Sequence, residues 1–243
     1  MRLPVVRGII ERRILINFRV EPQALAGVLP APFRPRLVRG VGLAGICLIR
    51  LSQLRPRFLP ARWGLASENA AHRIAVEWDD AGGIRQGVYV HRRDTSSRFN
   101  VLAGGRAFPG IHHYARFDVR ETAPRYCIRV NSDDGSVCVN VECEICRDLN
   151  RGSVFSSLRE ASEFFEAGSL GYSPTLQPAV FDGLELKTMQ WSVVPLDVTR
   201  VESSFFEDRS IFPPGTVNFD CALLMREIEH EWVQQPLLCP QCG

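Results

Sequence analysis

The sequence contains almost no lysine. Of its 29 basic residues 28 are arginine, and Lys187 is the one amine side chain among 243 residues. A guanidinium stays protonated, so chemistry that needs an amine nucleophile has a single side-chain candidate. Long apolar runs are also missing. None approaches the roughly 18 residues of a membrane span, and the N-terminus lacks the apolar core of a signal peptide. Charge of one sign is absent too: 29 − 27 leaves +2, too little for a nucleic-acid footprint or membrane steering. No glycine-rich phosphate loop follows a strand, strands do not alternate with crossover helices, and no internal repeat is found. The expectation is a cytoplasmic protein of one large domain, without nucleic acid or membrane as partner.

What the sequence does have is short strands. Arg13 to Val20 is β-branched and extended, and Pro22 opens a short helix closed by Pro30 and Pro32. Gly42 to Leu51 is an apolar run that suits a buried strand. From Ala70 onward, His72, Ile74, Val76 and Trp78 share one face and Arg73 and Glu77 the other. A turn at Asp79 to Gly83 returns the chain as a strand from Gln86 to His91, and Asp94 to Ser97 supply caps for a short helix ending at Gly104-Gly105. A strand follows from His112 to Arg120, then a hairpin around Ser132-Asp133-Asp134-Gly135. Ser157 and Glu160 form a capping box before a helix whose Leu158, Ala161, Phe164 and Phe165 make one apolar face, with Gly168 to end it. Leu184 to Val194, Asp197 to Glu202 and Val217 to Met225 are later strands, and the polar run Arg226 to Glu231 is expected as helix or coil. The fold class is α+β, mainly antiparallel, built on a barrel or strongly curved sheet.

Five segments carry a family likeness: ERRILINFRVEPQALAGVLPAPFRPR (11–36), GLASENAAHRIAVEW (64–78), GVYVHRRDTSSRFNVLAGGRAFPGIHH (87–113), GSVFSSLREASEFFEAGSLGYSPT (152–175) and FPPGTVNFDCALLMREIEHEW (212–232). They resemble the acetoacetate-decarboxylase-like superfamily, and most closely its uncharacterised YqjF-type relatives. The resemblance spans residues 8–232. It implies a cone-shaped β-barrel decorated by short helices, with a small-molecule pocket inside and self-association as a homo-oligomer. The decarboxylases use a lysine that follows a proline and forms a Schiff base with a β-keto acid. That place here is Pro109-Gly110-Ile111, so the nucleophile is missing. Lys187 shares a solvent-facing strand face with Glu185 and is no convincing replacement.

The remaining polar residues define a candidate site. By its place before the 70–78 strand, Glu68 matches an acidic residue of the superfamily's active site, and strand alternation puts Glu68 and His72 on one inward face. His113 shares parity with Ala115, Phe117 and Val119, whereas His112 falls with Arg116 and Asp118 on the polar face. Glu68, His72 and His113 are the candidate catalytic residues, as acid–base groups or, less economically, as a two-histidine, one-carboxylate metal site. The run from His91 to Arg98 is the densest polar cluster. Arg92, Asp94, Arg98 and Arg106 are candidate ligand-binding residues, since arginine forks suit a carboxylate; the competing view is Arg–Asp pairing that fixes the loop. Arg12 or Arg13 matches a substrate-side arginine of the superfamily, with the register open by one residue.

Eight cysteines without a signal peptide argue against a disulfide scaffold. Cys47, Cys127 and Cys221 lie in apolar strands as core residues; Cys138 faces away from Val137 and Val139. The pairs Cys143/Cys146 and Cys239/Cys242 have the spacing of a structural zinc site, the second inside a tail expected at 233–243 beyond the single domain 1–232. Two readings of function stand open. One is an enzyme acting on a small acidic or carbonyl molecule by acid–base chemistry; the other is a protein that binds such a molecule without turnover.

Overall fold

The computed structural model describes residues 4–106 and 108–239. In chain order the elements are β1 (Val6–Val20), α1 (Pro22–Val28), β2 (Arg34–Pro35), β3 (Leu37–Val38), β4 (Val41–Pro56), β5 (Leu65–Asp80), β6 (Gly83–Thr95), α2 (Arg98–Ala103), β7 (His112–Thr122), β8 (Arg125–Ser132), β9 (Cys138–Ile145), α3 (Leu158–Ala167), β10 (Leu170–Pro174), β11 (Phe181–Thr188), β12 (Val194–Ser203) and β13 (Val217–Leu238). Their strands join one sheet whose pairings close on themselves. β6 pairs with β5 as well as β7, so β1, β4, β5, β6, β7, β8, β9, β12 and β13 make a ring, and β10–β11 bridges β6 to β13 as a second branch. Pairing is antiparallel except where β6 meets β7 and β10.

Two apolar layers follow from strand alternation. The inner face of the ring gathers Ile14, Ile16, Ala44, Ile46, Leu48, Ile74, Val76, Ile128, Val130 and Val141, and Phe206 and Phe212 from the 204–216 loop fill it further. The opposite face of β1, β4, β5 and β13 carries Leu15, Leu43, Ile49, Leu51 and Leu223 under Phe155, Ala161 and Phe165. Burial on both faces is why these strands contain nearly continuous apolar runs rather than clean alternation. Gly45 lets β4 lie close to β1, because a Cβ there would sit 2.1 Å from the Ile16 carbonyl oxygen.

Local punctuation behaves as the sequence predicts. Ser157 Oγ accepts from Glu160 N at 3.2 Å, and Gly168 is the C-cap of α3. The reciprocal half of the capping box is shifted by one residue: Glu160 accepts from Ser156 N, at 2.6 Å, rather than from Ser157 N. One expectation fails outright. Arg226 to Glu231 is strand, and residues 233–238, expected as tail, continue β13 to pair with β11 up to Leu238 opposite Phe181. The run is polar at every position but Ile228, yet β1 and β11 offer it hydrogen-bonding partners on both edges. β10 and the short β2 and β3 are also strands that sequence patterning did not mark. No helix among the described residues is long and apolar enough to cross a membrane.

Candidate functional site

A β-bulge sets the site. Ile10 lies opposite Leu51 and Arg12 opposite Arg50, so Glu11 is the extra residue on β1. Ile10 therefore packs on the α3 side while Arg12, two residues on, points into the ring. Arg12 Nη2 donates to Glu68 Oε2 at 2.5 Å, and its Nη1 donates to Glu121 Oε1. Arg50, opposite Glu68 on β4, donates from Nε to Glu68 Oε1 at 2.5 Å, and its Nη2 lies 3.3 Å from Glu121 Oε1. Two arginines and two glutamates thus interlock at one end of the inner face. Their side-chain exposure grades from 2% for Arg12 through 15% for Glu68 and 21% for Glu121 to 34% for Arg50, so the quartet runs from the core to solvent. Glu68 is pinned further through its backbone, which exchanges hydrogen bonds with Ser96 N and Oγ.

The electrostatics favour charge here. Burial works against the Arg50 cation, but hydrogen bonding to Glu68 and the attraction of Glu68, Glu121 and Glu11 outweigh it, and its pKa is raised. Arg226, opposite Arg12 in the β1–β13 register, donates to Tyr126 Oη at 3.3 Å and has no carboxylate within 4.0 Å among the described residues. Arg12 Nε is buried without a partner. One cationic group and one buried donor therefore remain unspent beside the quartet.

The other sequence-predicted residues lie elsewhere. Glu68, His72 and His113 do not converge. His72 is opposite Arg92, four residues along β5 from Glu68, or about 13 Å at strand rise. His72 is buried beside Phe205 and Phe206 with Nε2 3.5 Å from Ser203 Oγ and Nδ1 unpartnered; burial, aided by His91 and Arg92, pushes its pKa down to about 3. His113 is inward by parity but half-exposed, with Nδ1 3.6 Å from Asp134 Oδ2. His112 departs from the expected polar face. It is packed against Phe108 with Nδ1 2.9 Å from the Gly110 carbonyl, and burial lowers its pKa to about 4.

Arg92 does point inward, but toward aspartates. It donates to Asp94 at 2.9 Å and to Asp134 at 2.9 Å, tying β6 to the β8–β9 turn. Asp94 is fully buried, and burial raises its pKa despite Arg92; the Ser132 hydroxyl, the Ser136 amide and Arg92 hold Asp134 low. This is the loop-fixing pairing. Arg98 is exposed over the Tyr114 ring, and exposed Arg106 donates to the Leu102 carbonyl, so neither joins Arg92.

Among the cysteines, Cys47 and Cys221 are buried, Cys127 is half-buried and Cys138 exposed. Cys143 faces the inner core, where burial raises its thiol to about 12, while Cys146 donates to the Asp148 carbonyl. No group of three or more histidine, cysteine or acidic side chains is placed to hold a metal among the described residues; Cys242 lies outside them. Lys187 is solvent-facing and 3.7 Å from Glu185, as strand parity predicts.

Sequence reading missed Arg50 and Glu121. Both had a signal: Arg50 interrupts the 42–51 apolar run at the parity of Ala44, Ile46 and Leu48, and Glu121 follows Phe117 and Val119 on the inward face. Two cavities lie away from the quartet. One of about 520 Å³ lies on the surface between Gln23, Arg34, Leu37 and Glu77, and one of about 20 Å³ lies beneath α3.

Comparison with known proteins agrees with this architecture. A family model, DUF2071, described as an uncharacterized conserved protein family (COG2071), matches residues 10–215. No curated protein matches the chain. Among solved structures, the chain is similar to an acetoacetate decarboxylase-like enzyme from Sphingomonas wittichii RW1, with TM-score 0.57 and 12% identity over 98% of this chain and 92% of that one. It is similar to the enduracididine biosynthesis enzyme MppR complexed with pyruvate, with TM-score 0.58 and 11% identity over 98% and 90%. It is also similar to acetoacetate decarboxylase from Legionella pneumophila subsp. pneumophila str. Philadelphia 1, with TM-score 0.58 and 10% identity over 95% and 85%.

Proposed function

Because the chain belongs to the DUF2071 family and has the fold of acetoacetate-decarboxylase-like proteins, we propose that it is an enzyme for small carbonyl compounds bearing a carboxylate, with the Arg12–Arg50–Glu68–Glu121 quartet as its site. In this reading the strand ring is the barrel of that fold and its quartet end is the mouth. The observation that carries it is Arg12, a fully buried guanidinium bridged by two carboxylates, beside Arg226, which has no carboxylate within 4.0 Å among the described residues. A substrate carboxylate can take one glutamate's place on an arginine fork without leaving the buried guanidinium unpaired. The displaced glutamate is then free beside the substrate, where Glu68 takes a proton from the carbon next to the carbonyl and returns one.

Imine chemistry is not part of this proposal. By the family likeness of the 87–113 segment, Gly110 takes the place of the decarboxylase lysine; its φ is +82°, and a Cβ there would come 2.9 Å from Arg93 Nε. Lys187 lies on the outside, paired with Glu185.

The test uses pyruvate, the compound in the MppR complex. In deuterium oxide, the methyl protons of pyruvate should exchange faster with the protein than without it, read by proton NMR, and Glu68→Gln should abolish the acceleration. Borohydride added with pyruvate should leave the protein mass unchanged, because no amine forms an imine. A trapped adduct overturns the lysine-free mechanism. One observation favours the second reading, binding without turnover: both Glu68 oxygens are already engaged, each at 2.5 Å. Calorimetric binding of pyruvate with no exchange above background would select it, and neither binding nor exchange with a panel of small keto acids would remove both.

A further inference from the structure

Three arginines converge under α3, on the opposite side of the sheet from the quartet. Arg13 from β1, Arg73 from β5 and Arg36 from the segment between β2 and β3 line a cavity of about 20 Å³ together with Leu15, Phe164 and Phe165. None of the three has a carboxylate within 4.0 Å among the described residues, although fourteen other arginines do. Arg73 is 6% exposed, donates to Asn17 Oδ1 at 2.5 Å, and keeps a buried Nε with no partner. The acceptors of Arg13 are sulfurs: Cys47 Sγ at 3.3 Å from Nε and Met225 Sδ at 3.8 Å from Nη1. Arg36 rests over the Phe164 ring at 4.2 Å and Arg73 over the Phe165 ring at 5.0 Å, so aromatic faces hold the guanidinium groups apart while their edges remain available.

The charge balance points the same way. Gly168 brings the C-terminus of α3 to the cavity, and a helix end supplies about half a negative charge. Three guanidinium groups exceed that by more than two charges. Glu77 attracts Arg36 only from a distance and is itself paired with Arg34 at 2.9 Å. Burial lowers the pKa of Arg73 to about 10, with Arg13 adding repulsion, and Arg73 stays cationic at neutral pH. Buried charge of one sign is costly unless it is paired. The space suits one occupant, since a water-sized sphere needs roughly 10–15 Å³.

We propose that this cavity binds one small monovalent anion of chloride size, held by the guanidinium groups of Arg13, Arg36 and Arg73. The anion supplies the acceptor that Arg73 Nε lacks and neutralises part of the charge that joins α3 to the sheet.

Chloride-35 NMR on the whole protein tests this, at constant ionic strength with gluconate as the replacing anion. The expected result is excess line broadening that saturates with chloride and is reversed by bromide. Arg73→Met should weaken chloride at least tenfold. Arg36→Gln, at a half-exposed position that tolerates change, should weaken it severalfold and decides the matter if the buried variant fails to fold. Glu68→Gln should leave the broadening intact, which separates this site from the inner quartet. The proposal is overturned if wild type shows no saturable broadening, if Arg36→Gln binds chloride like wild type, or if Glu68→Gln removes the signal.

Discussion

Glu68→Gln probes the quartet without changing side-chain size. The substitution keeps a group that can accept from Arg12 and Arg50 but removes the negative charge between them. Stripping one partner from a buried ion pair costs about 3–5 kcal/mol. Arg12 keeps Glu121, and Glu68 is 15% exposed, so roughly half of that applies, about 2 kcal/mol. For a domain of this size such a loss lowers Tm by roughly 4–8 °C. Urea unfolding at pH 7 should show a lower midpoint at unchanged slope, meaning that stability changed and not the extent of unfolding. The decisive comparison is the same substitution in an Arg12→Met background. There Glu68 pairs only with Arg50, which is one-third exposed, and the loss should fall below about 1 kcal/mol. If Glu68→Gln costs less than about 0.5 kcal/mol, or equal amounts in both backgrounds, Arg12 and Glu68 are not coupled and the quartet is not a unit.

Three further outcomes follow from named contacts. Burial holds the pKa of His72 near about 3 and those of His112 and His230 near about 4, all below the unfolded value of 6.5. The unfolded chain binds protons that the folded chain refuses, so stability is full above pH 6.5 and is lost as pH falls toward 4, by about 1.4 kcal/mol per histidine at pH 5.5. His72→Leu should remove about a third of that acid sensitivity in urea titrations at pH 7 and 5.5, and an unchanged slope would show that His72 is not buried neutral. Asp94→Asn, at a fully buried position, should cost about 1–3 kcal/mol and speed amide exchange in the β8–β9 hairpin, because Arg92 loses the β6 carboxylate that aims it at Asp134 in the turn. Ser157→Ala removes the N-cap of α3 and should cost about 1 kcal/mol in urea unfolding.

Much of the local structure is written in the sequence, because the two-residue period of a strand and the chemistry of a helix end involve only neighbours along the chain. Glu68 and His72 on one face, Lys187 with Glu185 on an outer one, and the Ser157 cap before α3 needed no knowledge of the rest of the molecule. Pairing across the sheet is another matter. Whether Arg12 or Arg13 enters the ring was open by one residue until the Glu11 bulge turned Arg12 inward and left Arg13 under α3. Glu121 meets Arg12 across 109 positions, and Arg73 and Arg36 meet Arg13 only because α3 folds back over the sheet. The polar stretch beyond Met225 becomes strand because β1 and β11 flank it, a partnership no window of sequence contains. By itself the sequence determined most of the long strands, the helices, the faces of Glu68 and Lys187, and the lysine-poor chemistry. Only the tertiary structure decided which charges meet, since ion pairing depends on distances that ring closure sets between strands far apart in the chain.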